Sequence, residues 1–141
     1  MIPMKLLKKY GKKADYTYSL GPFPTFELLN CHPEYLEEIV VSSQIKPEME
    51  EKAAALCEKH QIPLLHSDKT LEKIREKEAC VMAGVLQKYE DSIDFYKNHV
   101  VLVNPSDMGN LGTIIRTCVG FGITNLAVIE PCADLFHPKV I

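Results

Sequence analysis

Short apolar runs alternate with segments of helical periodicity along this chain, and that alternation restricts its fold more than any other feature. The runs Glu38–Ser42, Ile62–His66 and Cys80–Leu86 have the length and composition of buried strands. A helical pattern precedes each of them. The order helix, strand, helix, strand, helix, strand predicts a small α/β layer with mostly parallel strands, which we place at residues 15–90.

The clearest of these helical patterns begins after Pro47. Its inward positions fall at i, i+4, i+7, i+8 and i+11, which is one face of an amphipathic helix: Met49, Ala53, Leu56, Cys57 and His60. Ser67 or Asp68 can cap the next helix, in which Leu71 and Ile74 point inward.

A second unit, residues 97–141, follows a polar linker at 91–96. Its runs His99–Val103 and Asn125–Glu130 are apolar on both faces, as buried parallel strands are. Between them Asn110 starts a helix, so the unit is predicted to be βαβ.

This βαβ unit has too few elements to bury its own strands. The predicted helix has one inward stripe, made of Leu111, Ile114, Ile115, Cys118 and Val119. One helix covers one face of a sheet, whereas both strands call for burial on two faces. We therefore expect more sheet to pair with this unit, either from another chain or from a longer protein of which this sequence is the front part.

Composition excludes several classes of protein. Of the 141 residues, 46% are hydrophobic and 25% are charged, which excludes a mainly disordered chain, a collagen and a coiled-coil rod. No stretch approaches the roughly 20 apolar residues that span a bilayer, and the N-terminus has no secretory signal, so we expect a cytoplasmic protein without a membrane partner. The five cysteines form no CxxC pair and predict reduced thiols. Cys57 and His60 are spaced for a metal, but no second pair follows, so no metal site is predicted.

Positive charge is concentrated at the N-terminus. The net charge is −3, yet residues 1–14 carry five lysines and no acid: Lys5, Lys8, Lys9, Lys12 and Lys13. Such a basic arm can contact phosphate, or it can be a solvated tail. The aromatic residues that follow it, Tyr16, Tyr18, Phe23 and Phe26, can stack on RNA bases or anchor a hydrophobic core.

The segment from Asn104 to Gly122, NPSDMGNLGTIIRTCVGFG, is the strongest candidate for a functional site. An amide at Asn110, a guanidinium at Arg116 and a helix N-terminus near a strand end together favour a phosphate or a ribose ligand. The alternative is an Asn110 helix cap beside a surface arginine. The chain contains neither GxGxxG nor GK[ST], so the dinucleotide fingerprint and the Walker-type loop are excluded.

The run NxGxxxR, formed by Asn110, Gly112 and Arg116 and followed by FG and a second apolar strand, resembles the first signature of the SpoU/TrmH family of RNA ribose 2′-O-methyltransferases. The later FHPKVI, Phe136–Ile141, fits the same family, and YSLGPFPTFELL, Tyr18–Leu29, lies where the family's N-terminal domain opens. The resemblance implies a small α/β substrate-binding domain similar to ribosomal proteins, followed by the start of a SPOUT, or trefoil-knot, methyltransferase domain that is incomplete in this chain.

The resemblance also implies the chemistry. It predicts transfer of a methyl group from S-adenosylmethionine to a ribose 2′-hydroxyl of rRNA or tRNA, in a homodimer. It implies that Asn110 and Arg116 are catalytic. The residues that it implies for RNA binding are Lys8, Lys9, Lys12 and Lys13. The family's cofactor residues have no counterpart here, so this chain alone is expected to be inactive. Because guanidinium stays protonated, we expect Arg116 to stabilise an oxyanion and Asn110 to orient the ribose or hold the arginine.

Two other functions are compatible with the sequence. The chain can be a non-catalytic RNA-binding module without the cofactor half of an enzyme. More remotely, it can be a signalling domain that binds a free nucleotide or phosphate. A reading frame that continues beyond Ile141 would favour the enzyme.

Overall fold

The computed structural model describes residues 7–141 and divides the chain into two units. The first unit ends at Lys88, and the second is Tyr89–Ile141. Lys5 of the predicted basic arm lies outside the described residues. No helix in the described part of the chain is both long enough and apolar enough to cross a membrane.

The first unit has four strands and three helices. In chain order they are β1 (Tyr16–Leu20), α1 (Pro22–Cys31), a 3₁₀ turn (Pro33–Tyr35), β2 (Leu36–Val41), α2 (Pro47–His60), β3 (Leu64–His66), α3 (Asp68–Ile74) and β4 (Met82–Gln87). The four strands form one sheet in the order β1-β4-β2-β3.

The expectation of mostly parallel strands is wrong for this sheet. Only β2 and β3 are parallel, while β4 runs antiparallel to both β1 and β2. The segment between β3 and β4 explains why β4 runs antiparallel to its neighbours. Helix α3 has only 7 residues, and the segment 75–81 then gives the chain enough length to enter the sheet from its other end.

Strand β1 is absent from the predicted order because its sequence, YTYSL, looks polar. Its first four residues are nonetheless buried, because their hydroxyl groups find partners inside the unit. Ser19 Oγ lies 2.8 Å from Thr25 Oγ1 and accepts a hydrogen bond from the Gly84 N–H at 3.1 Å. A Cβ at Gly84 would lie 2.6 Å from Ser19 Oγ, so the glycine makes room for this contact.

Apolar side chains cover both faces of this sheet. Leu29, Ile39, Val41, Ala53, Cys57 and Met82 belong to a cluster on one face, with α1 and α2. Tyr16, Tyr18, Val40, Leu71, Ile74 and Val85 belong to a second cluster on the other face, with α3. Adjacent residues of β2 enter different clusters, as the alternation of side chains along a strand requires. The unit is therefore a three-layer α/β structure.

The aromatic residues after the basic arm divide between core and surface. Tyr16 and Tyr18 are buried and Phe26 packs against the first cluster, which is the role of a hydrophobic anchor. Phe23 is exposed over 74% of its surface.

The second unit is a single βαβ motif. It consists of β5 (His99–Val103), α4 (Met108–Gly120) and β6 (Asn125–Ile129), and the two strands are parallel in the register Val101↔Ala127. Its core joins Leu111 of α4 to Ala133 and Val140, with Leu102 and Val128 packed against them.

The other face of the β5–β6 sheet is open in the described chain. Val101, Val103 and Ile129 are 50% exposed or more. This exposure agrees with the expectation that both strands require cover on two faces. Val119 was expected to point inward from α4, but it is 68% exposed. Val119 directly follows Cys118, the last buried residue of the stripe. Because each residue turns a helix by about 100°, the Val119 side chain leaves the buried face.

Candidate functional site

The candidate site lies where β5 ends and α4 begins. Parallel strands end at the same edge of a sheet, so the segments that follow β5 and β6 meet there. The Ala133 N–H donates to the Pro105 carbonyl at 2.6 Å, which ties the two segments together. Asn104, in a left-handed conformation with φ 51°, donates its N–H to the Ile129 carbonyl at 3.0 Å.

Asp107, not Asn110, caps the helix. The Asp107 carboxylate accepts the Asn110 N–H at 2.7 Å, and α4 begins at Met108. The expectation that Asn110 starts the helix is thus wrong by two residues. A carboxylate is as good a cap as an amide, and it also interacts favourably with the helix dipole. The signal was present in the sequence, since Asp107 directly precedes the apolar periodicity.

The cap changes the electrostatics of this helix end. The negative charge of Asp107 offsets the partial positive charge of the N-terminus, and its oxygen already holds the Asn110 N–H. A phosphate would meet a carboxylate there. Of the two ligands considered from the sequence, a ribose hydroxyl therefore fits this helix end better than a phosphate does.

The Arg116 side chain folds back over Gly112. A Cβ placed on Gly112 would lie 3.1 Å from Arg116 Nη1, 3.4 Å from Nη2 and 3.4 Å from the Lys139 carbonyl oxygen. Helical side chains lean toward the preceding turn, so residue i covers residue i−4. The absence of a side chain at Gly112 leaves the space in which the guanidinium lies.

Thr113 stands beside this guanidinium. Arg116 Nη2 donates to Thr113 Oγ1 at 3.5 Å, and Thr113 Oγ1 in turn donates to the Gly109 carbonyl at 2.9 Å. The guanidinium remains at the surface. The guanidinium of this exposed residue thus lies beside Thr113 and Gly112 of its own helix.

Residues 137–140 also contact this part of α4. Val140 is buried against Leu111, and the Val140 N–H donates to the His137 carbonyl at 2.7 Å. His137 Nδ1 accepts the Lys139 N–H at 3.1 Å. This turn brings the backbone of Lys139 to Gly112. The sequence pattern gave no indication of that contact.

Asn110 and Arg116 occupy different sides of α4. Six residues place their Cα atoms about 9 Å apart along the axis and about 120° apart around it. The backward fold of Arg116 shortens the axial distance, but no hydrogen bond joins the two side chains in residues 7–141. Holding the arginine is therefore not a role that this arrangement gives to Asn110.

The four predicted RNA-binding lysines, Lys8, Lys9, Lys12 and Lys13, lie on the first unit. Their side chains are exposed, but the backbone around them is fixed. Tyr18 Oη donates to the Lys8 carbonyl at 2.5 Å, and Lys88 Nζ donates to the Lys12 carbonyl at 2.8 Å. The described part of the basic arm is thus packed on the unit and is not a free tail.

Cys57, considered as a metal ligand with His60, belongs to the core. Its side chain is 2% exposed, and burial raises the pKa of its thiol to about 11. Cys57 therefore packs as an apolar residue beside Ala53 and Met82 in the first cluster.

Residues 97–141 match the SpoU rRNA Methylase family. The resemblance seen in the sequence is confirmed for this segment, which contains both Asn110 and Arg116. A search of curated protein sequences found no match to the chain.

Solved methyltransferase structures share the fold. An RNA 2′-O ribose methyltransferase superposes with a TM-score of 0.65 at 23% identity, over 90% of this chain and 50% of that one. The SpoU methyltransferase AviRb from Streptomyces viridochromogenes, in complex with AdoMet, gives 0.69 at 18% identity over 91% and 50%. An AdoMet-bound rRNA methyltransferase from Sinorhizobium meliloti gives 0.66 at 19% over 89% and 48%.

These likenesses confirm the predicted fold class. The chain is a mixed α/β protein whose fold matches about half of each of these methyltransferase structures, and an incomplete SPOUT domain fits that match. It spans about half the length of the solved structures that it matches.

Proposed function

We propose that this chain belongs to an enzyme that transfers a methyl group from S-adenosylmethionine to a ribose 2′-hydroxyl of rRNA or tRNA. The observation that carries the proposal is the family match of residues 97–141, with Arg116 held over Gly112 at the strand edge of the matched segment. The RNA methyltransferases among the solved structures support the same reaction.

The described residues do not by themselves fit a complete AdoMet site. AdoMet is the cofactor found in two of the superposed structures, and when bound it supplies an electrophilic methyl group. Here one face of the β5–β6 sheet is exposed at Val101, Val103 and Ile129, and the chain covers only about half of each AdoMet-bound structure. The residues of this chain act on the RNA side of the reaction.

In this proposal Arg116 stabilises negative charge on the ribose oxygen. The 2′-hydroxyl becomes a strong nucleophile only as its proton leaves, and charge then develops on the oxygen. A guanidinium keeps its proton at neutral pH and makes a poor base. It can donate hydrogen bonds to a developing oxyanion, which is the larger catalytic effect. Arg116 is exposed, and its guanidinium lies over Gly112 and within 3.5 Å of Thr113 Oγ1, which suits that role.

Asn110 orients the ribose, and the first unit grips the RNA. The Asn110 side chain is exposed on the third residue of α4, where its amide can donate to and accept from sugar hydroxyls. Lys8, Lys9, Lys12 and Lys13 contact phosphates of a structured rRNA or tRNA.

We also propose a cytoplasmic homodimer as the complete protein. The apolar residues exposed on the second unit, including Val119 and Phe121 of α4 and its C-terminus, support an association between chains. Sedimentation of the protein from the complete reading frame tests the dimer, and a monomer at micromolar concentration would contradict it.

Replacement of Arg116 in the protein encoded by the complete reading frame tests the reaction. Arg116→Ala should lower methyl transfer from labelled AdoMet by about 10²- to 10³-fold, the cost of one oxyanion donor. RNA affinity should stay within about twofold, because the lysines that bind phosphate are untouched. Resistance of the labelled linkage to alkaline cleavage would identify the 2′-oxygen as the acceptor.

Thr117→Ala, an exposed neighbour on α4, is the control and should keep full activity. Wild-type turnover by Arg116→Ala would contradict the assigned role. A wild-type protein that binds RNA but transfers no methyl group would favour the non-catalytic RNA-binding module.

A further inference from the structure

Residues 7–14, which we call the lysine segment, are attached to the core of the first unit through buried side chains. Leu7 is fully buried in the cluster that contains Tyr18. Tyr18, itself fully buried, donates its hydroxyl to the Lys8 carbonyl at 2.5 Å. A turn follows, closed by the Ala14 N–H donating to the Gly11 carbonyl at 2.9 Å. The backbone of residues 7–14 is thus held at both ends, and the lysine side chains project from a fixed base.

Lys88 holds the middle of this segment. Its ammonium donates to the Lys12 carbonyl at 2.8 Å and lies 5.0 Å from the centre of the Tyr10 ring. Its own backbone is fixed, because the Lys88 N–H donates to the Asp15 carbonyl at 2.9 Å and continues the β1–β4 pairing beyond Tyr16 and Gln87. Lys88 therefore connects the end of the β1–β4 pairing to Lys12 of the lysine segment.

The charges on this turn are free to meet an anion. Lys9 Nζ is 3.9 Å from a Glu76 carboxylate oxygen, and this long contact joins an exposed lysine to a half-buried glutamate. No ion pair within residues 7–141 involves Lys12 or Lys13, and both are exposed. Several cations on one short rigid segment match a polyanion whose charges recur along a backbone.

We propose that residues 7–13 together with Lys88 form a pre-organised surface for RNA backbone phosphates, in which Lys88 is a positioning residue. Lys88 acts by holding the Lys12 carbonyl, so that the ammonium groups of Lys12 and Lys13 are in place before RNA arrives. Pre-organisation lowers the conformational entropy lost on binding. The inference rests on the RNA binding in the proposed function, but it does not depend on methyl transfer.

A double-mutant cycle on the whole chain, without AdoMet, tests this arrangement. The probe is a fluorescently labelled, unmodified tRNA transcript, and affinity is measured by anisotropy at several salt concentrations. Lys12→Met should weaken binding and reduce the slope of log K against log salt by roughly one, because it removes a phosphate contact. Lys88→Met should also weaken binding, because the Lys12 backbone loses its anchor. Combined, they should weaken binding less than the product of the single effects, with a coupling of at least about twofold.

Two variants are controls for this cycle. Lys69→Met removes an exposed lysine of α3 on the same unit and should change neither the affinity nor the salt slope. Lys88→Arg keeps both the charge and the donor to Lys12, and should restore most of the affinity.

Three results would overturn the inference. Lys88→Met can leave binding unchanged, or its effect can be strictly additive with that of Lys12→Met, which would make Lys88 an independent charge. The chain can also bind phosphatidylserine vesicles and not the tRNA. If the effects of Lys88→Met and Lys12→Met on RNA binding are coupled but the complete protein transfers no methyl group, this surface is supported and the proposed function fails. The two failures are therefore distinguishable.

Discussion

Gly112 is the residue on which the position of Arg116 depends most directly. A methyl group at this position would lie 3.1 Å from Arg116 Nη1, which is closer than side chains normally pack, and the flexible guanidinium would have to move. Gly112→Ala should therefore lower methyl transfer by the complete protein severalfold. The helix should not lose stability, because alanine is favoured over glycine in a helix by about 1 kcal/mol.

Gly120 provides the matched control for that substitution. It lies in the same helix, and a Cβ there would have no atom within 4 Å. Gly120→Ala should change helix stability in the same direction as Gly112→Ala and leave methyl transfer intact. Comparison of kcat with KM for the RNA checks the reason, since displacement of Arg116 should reduce kcat and leave KM nearly unchanged. Equal activity of the two variants would show that the position of Arg116 is not limiting.

At the scale of one element, the cap of α4 ties helix stability to the site. Asp107 accepts the Asn110 N–H, and Asn110 is one of the two residues assigned to the ribose. Asp107→Ala should reduce the stability of the second unit by about 1 kcal/mol. Hydrogen exchange of the α4 amides measures this loss. Asp107→Asn should retain most of the protection, because asparagine caps equally well, and similar exchange in both variants would contradict a capping role.

The elements show which information the sequence contains and which it does not. The buried face of α2 can be predicted from the sequence, because Ala53 and Cys57 follow helical spacing and are both buried. Strand β1 cannot be predicted in this way, because its hydroxyl groups look polar until Thr25 and Gly84 are seen to satisfy them. The antiparallel direction of β4 cannot be predicted from the sequence pattern. Hydrophobic periodicity indicates which faces are buried, but it does not indicate the end from which a strand enters the sheet.

The candidate site divides in the same way. Spacing and family resemblance together singled out Asn110 and Arg116, which lie within one helix. The partners of Arg116 required the structure, because the Lys139 backbone reaches Gly112 through a turn that no local pattern indicates. Lys88, more than 70 residues from Lys12, is the same kind of long-range contact.

At the scale of the whole molecule, the open face of the β5–β6 sheet determines what this chain can bind by itself. Val101, Val103 and Ile129 present an exposed apolar surface, and the chain covers only 50% of the solved AdoMet-bound AviRb structure. A cofactor site needs walls on several sides to remove most of a ligand's surface from water. The 141-residue chain should therefore show no heat of AdoMet binding in a calorimetric titration, while the protein from the complete reading frame should bind it.

Binding of RNA by the 141-residue chain is the control for that titration, because it shows that the first unit is folded in the sample used. Tight binding of AdoMet by this chain alone would mean that its own residues, or a second copy of it, complete the pocket. The sheet face at Val101 and Val103 would then be covered in solution, and Val103→Asp should abolish the binding. If AdoMet bound neither protein while RNA bound both, the non-catalytic RNA-binding module would replace the methyltransferase as the function to test.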